Sequence, residues 1–359
     1  MNKKRDKKKF KRQNLKYQNI EIDDIDSFID EEVVEEKRAE KREHQKTLTS
    51  QKSGLNLKRG KVLEIWTNYL CKVNVENEDI ECVLGGRLKQ VNNNNRNLVA
   101  VGDFVNVDMS DSPRIEEIIE RNNSLSRYTE DDFQTEITIA ANIDQVVITS
   151  SIYEPDINFG LIDRYICAAE IAGITPVICV NKIDLAEDLS EIRTSCSFYE
   201  DLGYKVLYTS ALKKESLEEL KEILKNKQTV FSGHSGAGKS SLINQIQPGL
   251  NLRVSEVSDF TGKGTHTTTS SKLIRWDFGG YLVDTPGIKT FGLHRQDKDN
   301  LSRIFPGFSE IFMQCKFPNC THSHEKGCAV KDAAETGQYP EQRYNSYLRI
   351  LNSLQDDRK

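Results

Sequence analysis

A glycine-rich run at residues 233–240, GHSGAGKS, fits the spacing G-x-x-x-x-G-K-[S/T] and stands between a strand-like and a helix-like run. A backbone that folds around phosphate groups needs glycines, because side chains would block its inward-pointing N–H groups. In this pattern Lys239 places a cation on the β- and γ-phosphates, Ser240 offers a hydroxyl ligand to Mg²⁺, and the helix N-terminus adds partial positive charge. The predicted phosphate-binding residues are Gly233, His234, Ser235, Gly236, Ala237, Gly238, Lys239, Ser240 and Ser241.

A second motif, NKID, directly follows the buried strand-like run TPVICV. An aspartate at the end of this motif accepts two hydrogen bonds from the N1–H and the exocyclic amine of guanine, a donor pair that adenine lacks. Alone, the motif equally fits a plain strand-to-helix turn, but beside a phosphate loop it predicts guanine recognition. The asparagine would brace the loop, the lysine stem would cover the base, and a backbone N–H of a later Ser-Ala pair would face guanine O6. The predicted base-binding residues are Asn181, Lys182, Ile183, Asp184, Ser210 and Ala211.

A third motif, DTPG at residues 284–287, ends another strand-like run. It has the form of a carboxylate that holds Mg²⁺ through water, followed by a glycine whose N–H contacts the γ-phosphate, which adds Asp284 and Gly287 to the nucleotide site. Ile288 stands where Ras-like GTPases carry the glutamine that orients the attacking water, so intrinsic hydrolysis should be slow. The catalytic candidates are Lys239, His266, Thr267 and Thr268; the alternatives are a polar loop rich in Gly and Thr and an exposed histidine without a role.

The order of these motifs is itself informative. Ordinary GTPases have the phosphate loop first and the base-reading motifs last, whereas here NKID precedes GHSGAGKS. Such a circular permutation is physically allowed because the termini of a domain usually lie close together at its surface. DTPG is then followed directly by the C-terminal segment, so the nucleotide state can bias how that segment docks.

A cluster of sulfur and imidazole side chains follows DTPG. Cys315, Cys320, His322 and Cys328 offer three thiolates and one imidazole within fourteen residues, a set that suits tetrahedral Zn²⁺ in a closed structural site. His324 competes as the imidazole ligand, and unrelated free cysteines are the alternative. Eight cysteines among 359 residues are too few for a disulfide scaffold and favour a reducing compartment.

The elements around the motifs predict a multidomain chain. Short β-like runs with turn signals over residues 55–128 predict an N-terminal β-barrel of the OB-fold type. Strand–helix alternation over residues 129–294 predicts a central α/β P-loop GTPase domain, circularly permuted, with a two-residue hairpin at Gly279-Gly280. A capping box of Ser216 and Glu219 should begin one of its helices. Residues 295–359 are predicted to form a C-terminal helical zinc-binding domain.

Composition sets further limits. Residues 1–16 carry nine Lys/Arg and one Asp, while residues 21–36 carry nine acids and no base, so residues 1–54 are predicted to be a charged arm, unstructured when free. The arm is either a solubilising tail or a basic segment that orders on RNA. The net charge of −5 argues against wholesale nucleic-acid coating. The sequence has no apolar run of about 18 residues, so it predicts no membrane span. The basic N-terminus lacks the apolar core of a secretory signal.

These motifs, in this order, resemble the circularly permuted GTPases that act on the small ribosomal subunit, the RsgA or YjeQ family. The resemblance covers roughly residues 56–350 and carries nothing over to the arm. It implies a cytoplasmic late-stage assembly factor, expected to be monomeric, that binds the 30S subunit and its 16S rRNA. It also implies that the particle stimulates GTP hydrolysis, that hydrolysis is coupled to release, and that His322 is the zinc-binding imidazole.

Two other functions fit the same residues. The first is an RNA-binding adaptor in which GTP is a structural or slow-turnover ligand. The second is a GTPase that acts on tRNA or another RNA substrate, because the predicted barrel has no readable base code. The GTPase rate with and without 30S subunits separates the enzyme from the adaptor. Pelleting the protein with separated 30S and 50S particles tests whether its target is the 30S subunit.

The base-reading hypothesis predicts the effect of Asp184→Asn. The substitution should weaken GTP binding by about 2–3 kcal/mol, because one guanine donor would then face an amide donor. It should also favour xanthine nucleotides, whose O2 suits a donor. Titrations with fluorescent guanine and xanthine nucleotides measure both effects, and an unchanged affinity for GTP would remove Asp184 from the base pocket.

Overall fold

The computed structural model describes residues 55–67, 70–86, 88, 98–110, 112–128, 136–250, 271–284 and 292–354. The charged arm predicted at residues 1–54 lies outside this part of the chain. Among the described residues, the helices are all too short or too polar to span a membrane.

Five strands close into the predicted N-terminal barrel. The first strand pairs with both the second and the fourth, while the fifth pairs antiparallel with the fourth and parallel with the third, so the ring is complete. Alternating side chains of these strands fill the interior with valine, isoleucine, leucine and two cysteines. The strands are β1 (Leu57–Thr67), β2 (Leu70–Val75), β3 (Glu78–Leu84), β4 (Phe104–Asp108) and β5 (Arg114–Ile118).

A separate hairpin of β6 (Ser124–Tyr128) and β7 (Glu136–Ala141) follows the barrel. The sequence pattern did not predict it. The two strands have five and six residues, and among the described strands they pair only with each other.

The central domain contains the predicted mostly parallel sheet, in the order β10-β9-β8-β11-β13-β12. The first five strands are parallel and only β12 is antiparallel. Strands β8 and β9 are buried along almost their whole length, as expected for parallel strands covered on both faces. The strands are β8 (Gln145–Ser151), β9 (Thr175–Asn181), β10 (Lys205–Tyr208), β11 (Gln228–Ser232), β12 (Lys272–Arg275) and β13 (Tyr281–Asp284). The helices are α1 (Phe159–Ala172), α2 (Ser190–Asp201), α3 (Leu217–Leu224) and α4 (Lys239–Ile246).

Two local predictions in this domain are wrong. The β12–β13 turn spans residues 276–280, not two glycines, because Trp276 and Phe278 stack on each other and pack against the core. The capping box at the start of α3 does not form: Ser216 adopts a left-handed conformation and its side chain caps no backbone N–H. The carboxylate of Glu219 is instead 2.7 Å from the ammonium group of Lys205.

The C-terminal region is helical, as predicted, and packs on the central domain. Its helices are α5 (Lys298–Ile304), α6 (Ala329–Glu335) and α7 (Glu341–Ser353). Helix α7 begins after Pro340 and buries Tyr344 and Leu351. An aromatic cluster joins α7 to the segment after α5, where the rings of Phe305 and Tyr347 are 5.3 Å apart.

A polar joint connects the barrel to the central sheet. Strand β1 pairs with β12 through Glu64 and Lys272, so the strands form one continuous sheet. Nearby, the Lys61 ammonium group donates a hydrogen bond to Gln228 Oε1 at 3.0 Å, and Gln228 Nε2 donates to the carbonyl of Ala141 at 2.7 Å. Gly102 of the barrel allows this approach, because a Cβ there would lie 2.4 Å from Gln228 Nε2.

A buried ion pair in the barrel generates a stability prediction. The fully buried carboxylate of Asp103 accepts two hydrogen bonds from the Arg121 guanidinium, at 2.7 and 2.8 Å, and one from the Ala100 N–H at 2.7 Å. Asp103→Asn should lower the free energy of unfolding by about 3 kcal/mol, because it removes the buried negative charge that pairs with the partly buried guanidinium of Arg121. The matched control, Glu76→Gln, breaks an exposed pair and should cost less than about 1 kcal/mol. Equal urea-unfolding curves for the two variants would contradict this role.

Candidate nucleotide site and metal centre

The glycine-rich run forms a loop between β11 and α4. Gly238 has a φ of 89° and touches the base-reading motif: a Cβ there would lie 2.3 Å from Asn181 Nδ2. The ammonium group of Lys239 donates hydrogen bonds to the carbonyls of Gly233 and His234, both at 2.8 Å. The loop therefore folds around a cation, which suits a site for phosphate groups.

The remaining predicted residues of the loop have distinct environments. Ser240 and Ser241 lie in the first turn of α4 and are half-buried, whereas Ala237 is buried. His234 and Ser235 are exposed at the tip, where His234 Nδ1 lies 2.6 Å from the Ser235 carbonyl. The structure thus brings all nine predicted phosphate-binding residues to one strand-to-helix connection.

Asn181 joins three motifs that are distant in the sequence. Its side chain is buried, and its Nδ2 donates to the Ala237 carbonyl in the phosphate loop at 3.0 Å. Its Oδ1 accepts from the Thr209 hydroxyl at 3.2 Å and from the Ala211 N–H at 3.3 Å. One amide thereby holds the phosphate loop, the NKID motif and the Ser-Ala pair together.

Asp184 is half-buried beside Ser210, whose hydroxyl donates a hydrogen bond to Asp184 Oδ1. The same hydroxyl accepts from the Lys213 N–H at 3.0 Å. This hydroxyl was missed in the sequence, where Ser210 was considered only for its backbone. The Ser210 N–H donates to the Glu215 carbonyl at 3.3 Å, so the N–H groups of both Ser210 and Ala211 already have protein acceptors.

Lys182 has a left-handed backbone, and its ammonium group donates to the carbonyl of Glu154 in the segment after β8. Ile183 is buried, and its N–H donates to the Thr209 carbonyl at 3.2 Å. The contact between Lys182 and Glu154 has no sequence signal, because nothing in the composition after β8 marks it as part of a site.

Asp284 ends β13 as predicted, with its carboxylate 3.7 Å from the Lys272 ammonium group. Both side chains are partly exposed. The other predicted switch residues, His266, Thr267, Thr268 and Gly287, lie outside the described residues.

The four predicted metal ligands come together in the C-terminal region. Sγ of Cys315, Cys320 and Cys328 and a ring nitrogen of His322 all lie within 4.8 Å of one another. His322 Nδ1 is 3.5 Å from Cys315 Sγ and 3.4 Å from Cys328 Sγ. Ligands of a tetrahedral Zn²⁺ site are separated by roughly 3.5–3.8 Å, so the donor set and its spacing fit zinc.

The surroundings of the cluster orient the imidazole. His322 Nε2 lies 3.1 Å from the Ser302 carbonyl and donates to it, which leaves Nδ1 unprotonated toward the thiols. Burial raises the pKa of the Cys320 thiol to about 12, a cost that a bound cation would offset by stabilising the thiolate. His324 is exposed, and its Nδ1 lies 2.9 Å from the Ser323 hydroxyl, outside the cluster.

Glu325, which the sequence analysis missed, fixes the turn around His322. It accepts hydrogen bonds from the Thr321 hydroxyl at 2.6 Å and from the N–H groups of Thr321 and Ser323 at 2.8 and 3.1 Å. Burial raises the pKa of Glu325, but these hydrogen bonds outweigh it and lower the value to about 2. A carboxylate that stays charged thus holds the loop that carries two of the predicted ligands.

Comparison with known proteins gives the same assignment. The family described as RsgA GTPase matches residues 118–294. The chain is 38% identical over 279 residues to the small ribosomal subunit biogenesis GTPase RsgA of Flavobacterium psychrophilum, and the match covers 76% of this chain and 86% of that relative. The chain belongs to the RsgA family of GTPases. The RsgA of Haemophilus influenzae strain 86-028NP is 42% identical over 244 residues, which are 67% of this chain and 70% of the relative.

Solved structures agree with this RsgA-family fold. The crystal structure of YjeQ from Thermotoga maritima matches with a TM-score of 0.69 and 34% identity, over 84% of this chain and all of that one. YloQ, described as a circularly permuted GTPase, matches with a TM-score of 0.65 and 29% identity, over 85% of this chain and 97% of that one. The permuted motif order therefore accompanies a shared architecture.

The contact between the phosphate loop and Asn181 generates a prediction for Gly238→Ala. The new Cβ would collide with Asn181 Nδ2 at a backbone conformation that disfavours side chains, so the Asn181 bridge should break. We expect guanine-nucleotide affinity to fall by at least about tenfold for GDP and GTP alike, as for a lost buried hydrogen bond with added strain.

The matched control is Gly249→Ala, where a Cβ meets no atom within 4 Å. It should bind fluorescent GDP as the wild type does. A Gly238→Ala protein with unchanged affinity for both nucleotides would show that the bridge is unnecessary.

Proposed function

We propose that this protein binds the 30S ribosomal subunit through its 16S rRNA and hydrolyses GTP late in small-subunit maturation. In this proposal the particle stimulates hydrolysis, and hydrolysis is coupled to release. The observation that carries the proposal is the Asn181 bridge, which holds the phosphate loop, the NKID motif and the Ser-Ala pair together in a chain of the RsgA family. The relatives named small ribosomal subunit biogenesis GTPases support the choice of particle.

In this proposal each residue of the nucleotide site has a separate role. Asp184 accepts hydrogen bonds from guanine, and its position is set by the Ser210 hydroxyl. Lys239 exchanges its backbone carbonyl partners for phosphate oxygens and offsets the negative charge that develops on the transferred group. The hydroxyl of Ser240 and the carboxylate of Asp284 are hard oxygen donors of the kind that Mg²⁺ takes. When bound, Mg²⁺ supplies further positive charge beside the phosphates.

Water activation is the step for which the nucleotide site has no obvious group. Ile288 cannot orient a water molecule, so we propose slow intrinsic turnover and a contribution from His266, Thr267 or Thr268 when the protein is bound to the particle. This division would make the ribosomal particle both the partner and the trigger of the reaction.

The metal centre would be structural. Three thiolates and the Nδ1 atom of His322 fill a tetrahedral Zn²⁺ shell and leave no open position for a substrate. The segment around the cluster has few strands or long helices of its own, so the metal would stabilise the surface that it presents. We further propose that the protein works in the cytoplasm as a monomer.

The proposal is tested by measuring the rate of GTP hydrolysis under three conditions: the protein alone, the protein with purified 30S particles, and the protein with 50S particles. We expect slow intrinsic turnover and stimulation by 30S only. Binding to 30S without any stimulation would favour the RNA-binding adaptor with a slow-turnover GTP. Stimulation by another RNA but not by 30S would favour a different RNA substrate.

The short connection between DTPG and the metal cluster predicts the effect of Cys320→Ser. Only 30 residues separate Asp284 from Cys315, and α5 lies among them. A C-terminal region that loses zinc should therefore dock differently when the nucleotide state changes. We expect near-normal GTP binding but loss of most 30S-stimulated hydrolysis.

The control is Cys71→Ser in the barrel interior, which should keep both zinc and stimulation. Zinc content is measured by metal analysis beside the hydrolysis assay. Full stimulation of a Cys320→Ser protein that has demonstrably lost its zinc would show that the metal centre is not coupled to the reaction.

A further inference from the structure

The segment of residues 152–158, between β8 and α1, touches both halves of the nucleotide site. The backbone carbonyl of Glu154 accepts a hydrogen bond from the ammonium group of Lys182 in the NKID motif. Beside it, Pro155 faces the phosphate loop, because a Cβ at Gly236 would lie 3.4 Å from Pro155 Cδ. The start of the segment is also fixed, since the Ser151 hydroxyl donates to the Pro155 carbonyl at 2.6 Å.

These contacts locate the segment along a bound nucleotide. Lys182 belongs to the motif that reads the base, and Gly236 belongs to the loop that holds the phosphates. The ribose of a guanine nucleotide lies between its base and its phosphates. A segment that contacts both motifs would therefore run alongside the ribose of a nucleotide bound between them.

The other end of the segment leads into α1. Asn158 caps this helix, with its Oδ1 accepting from the Leu161 N–H at 3.0 Å. The next residue, Phe159, lies under the guanidinium of Arg343 from α7, which is 4.3 Å from the ring centre. The first turn of α1 therefore has a direct contact with the C-terminal helix.

Arg343 is held at this place by a buried network. Its Nη1 is 3.4 Å from Oδ2 of Asp163, a fully buried carboxylate one turn further along α1. Tyr199 donates to Asp163 Oδ1 at 2.7 Å, and its ring lies 4.5 Å from the guanidinium. A planar cation between two rings and a buried carboxylate fixes the relative position of two helices more tightly than apolar packing alone.

We propose that residues 152–158 form the ribose-side wall of the guanine-nucleotide site and that Arg343 is a positioning residue for this wall. The proposal rests on the nucleotide lying between Asp184 and the phosphate loop, as in the proposed function. It gives the C-terminal region a route to the nucleotide through α1, separate from the DTPG connection. A change in the packing of α7 against α1 then shifts this wall and changes the rate at which the nucleotide is released.

The test is the release rate of fluorescent GDP and GTP analogues from the full-length protein, measured by stopped flow without ribosomes. Arg343→Lys keeps the charge but removes the planar group that lies between the rings. Release of both nucleotides should accelerate by about 3- to 30-fold, the range of measured coupling between linked sites. Arg349→Lys, on the exposed face of the same helix, is the matched control and should leave the rate unchanged.

Two further variants separate positioning from general loss of stability. Phe159→Leu removes the ring beneath Arg343 but keeps the ion pair, and it should also accelerate release. Val62→Ala destabilises the barrel core and should leave the release rate unchanged at a comparable loss of thermal stability. Wild-type release rates in both Arg343→Lys and Phe159→Leu, or equal acceleration by Val62→Ala, would overturn the proposal.

The outcome is independent of the ribosomal partner. Faster release in Arg343→Lys without any 30S stimulation of the wild type supports the wall and overturns only the proposed function. A wild-type protein that binds no guanine nucleotide would overturn both.

Discussion

The buried amide of Asn181 is the interaction on which the nucleotide site depends. Its donor and acceptor atoms are both used, and they connect loops that follow three parallel strands, β9, β10 and β11. The carboxyl ends of parallel strands meet at one edge of a sheet, so such a bridge needs proximity in space and not a particular order in the chain. This explains how a circularly permuted sequence brings the phosphate loop, the NKID motif and the Ser-Ala pair together.

The metal centre and the nucleotide site share one hydrophobic core. Buried residues of α1 and of strands β8 and β9 belong to the same apolar cluster as Cys320, Cys328 and the aromatic residues of α7. A close-packed core transmits small displacements, because it has few voids in which they can be absorbed. The C-terminal region, with its Cys–His cluster, is thus packed into the core of the GTPase structure.

The sequence predicted the parts of the candidate sites whose residues are close together in the chain and have a recognisable chemistry. A glycine-rich run between a strand and a helix, or four side chains of the metal-ligand type within fourteen residues, limits the structure strongly, and the structure brings these residues together. The contacts that sequence could not predict are long-range. Arg343 and Asp163 are 180 positions apart, and the Lys182–Glu154 contact ends on a backbone carbonyl, which has no residue signature. Ser216 does not cap its helix: its backbone is left-handed, whereas N-cap residues are typically extended, and its side chain makes no cap hydrogen bond.

The polar joint at Lys61 and Gln228 makes the barrel hard to exchange. The two side chains meet across the boundary, the Lys61 ammonium also lies over the rings of Phe104 and Tyr281, and Gly102 leaves only enough space for Gln228. Burial lowers the pKa of Lys61, so a foreign neighbour without these partners would leave it poorly solvated. A barrel taken from a distant relative would fit this protein only if both sides of the joint were transplanted together. Recombination within such a family should therefore preserve the barrel and the GTPase sheet as one inherited unit.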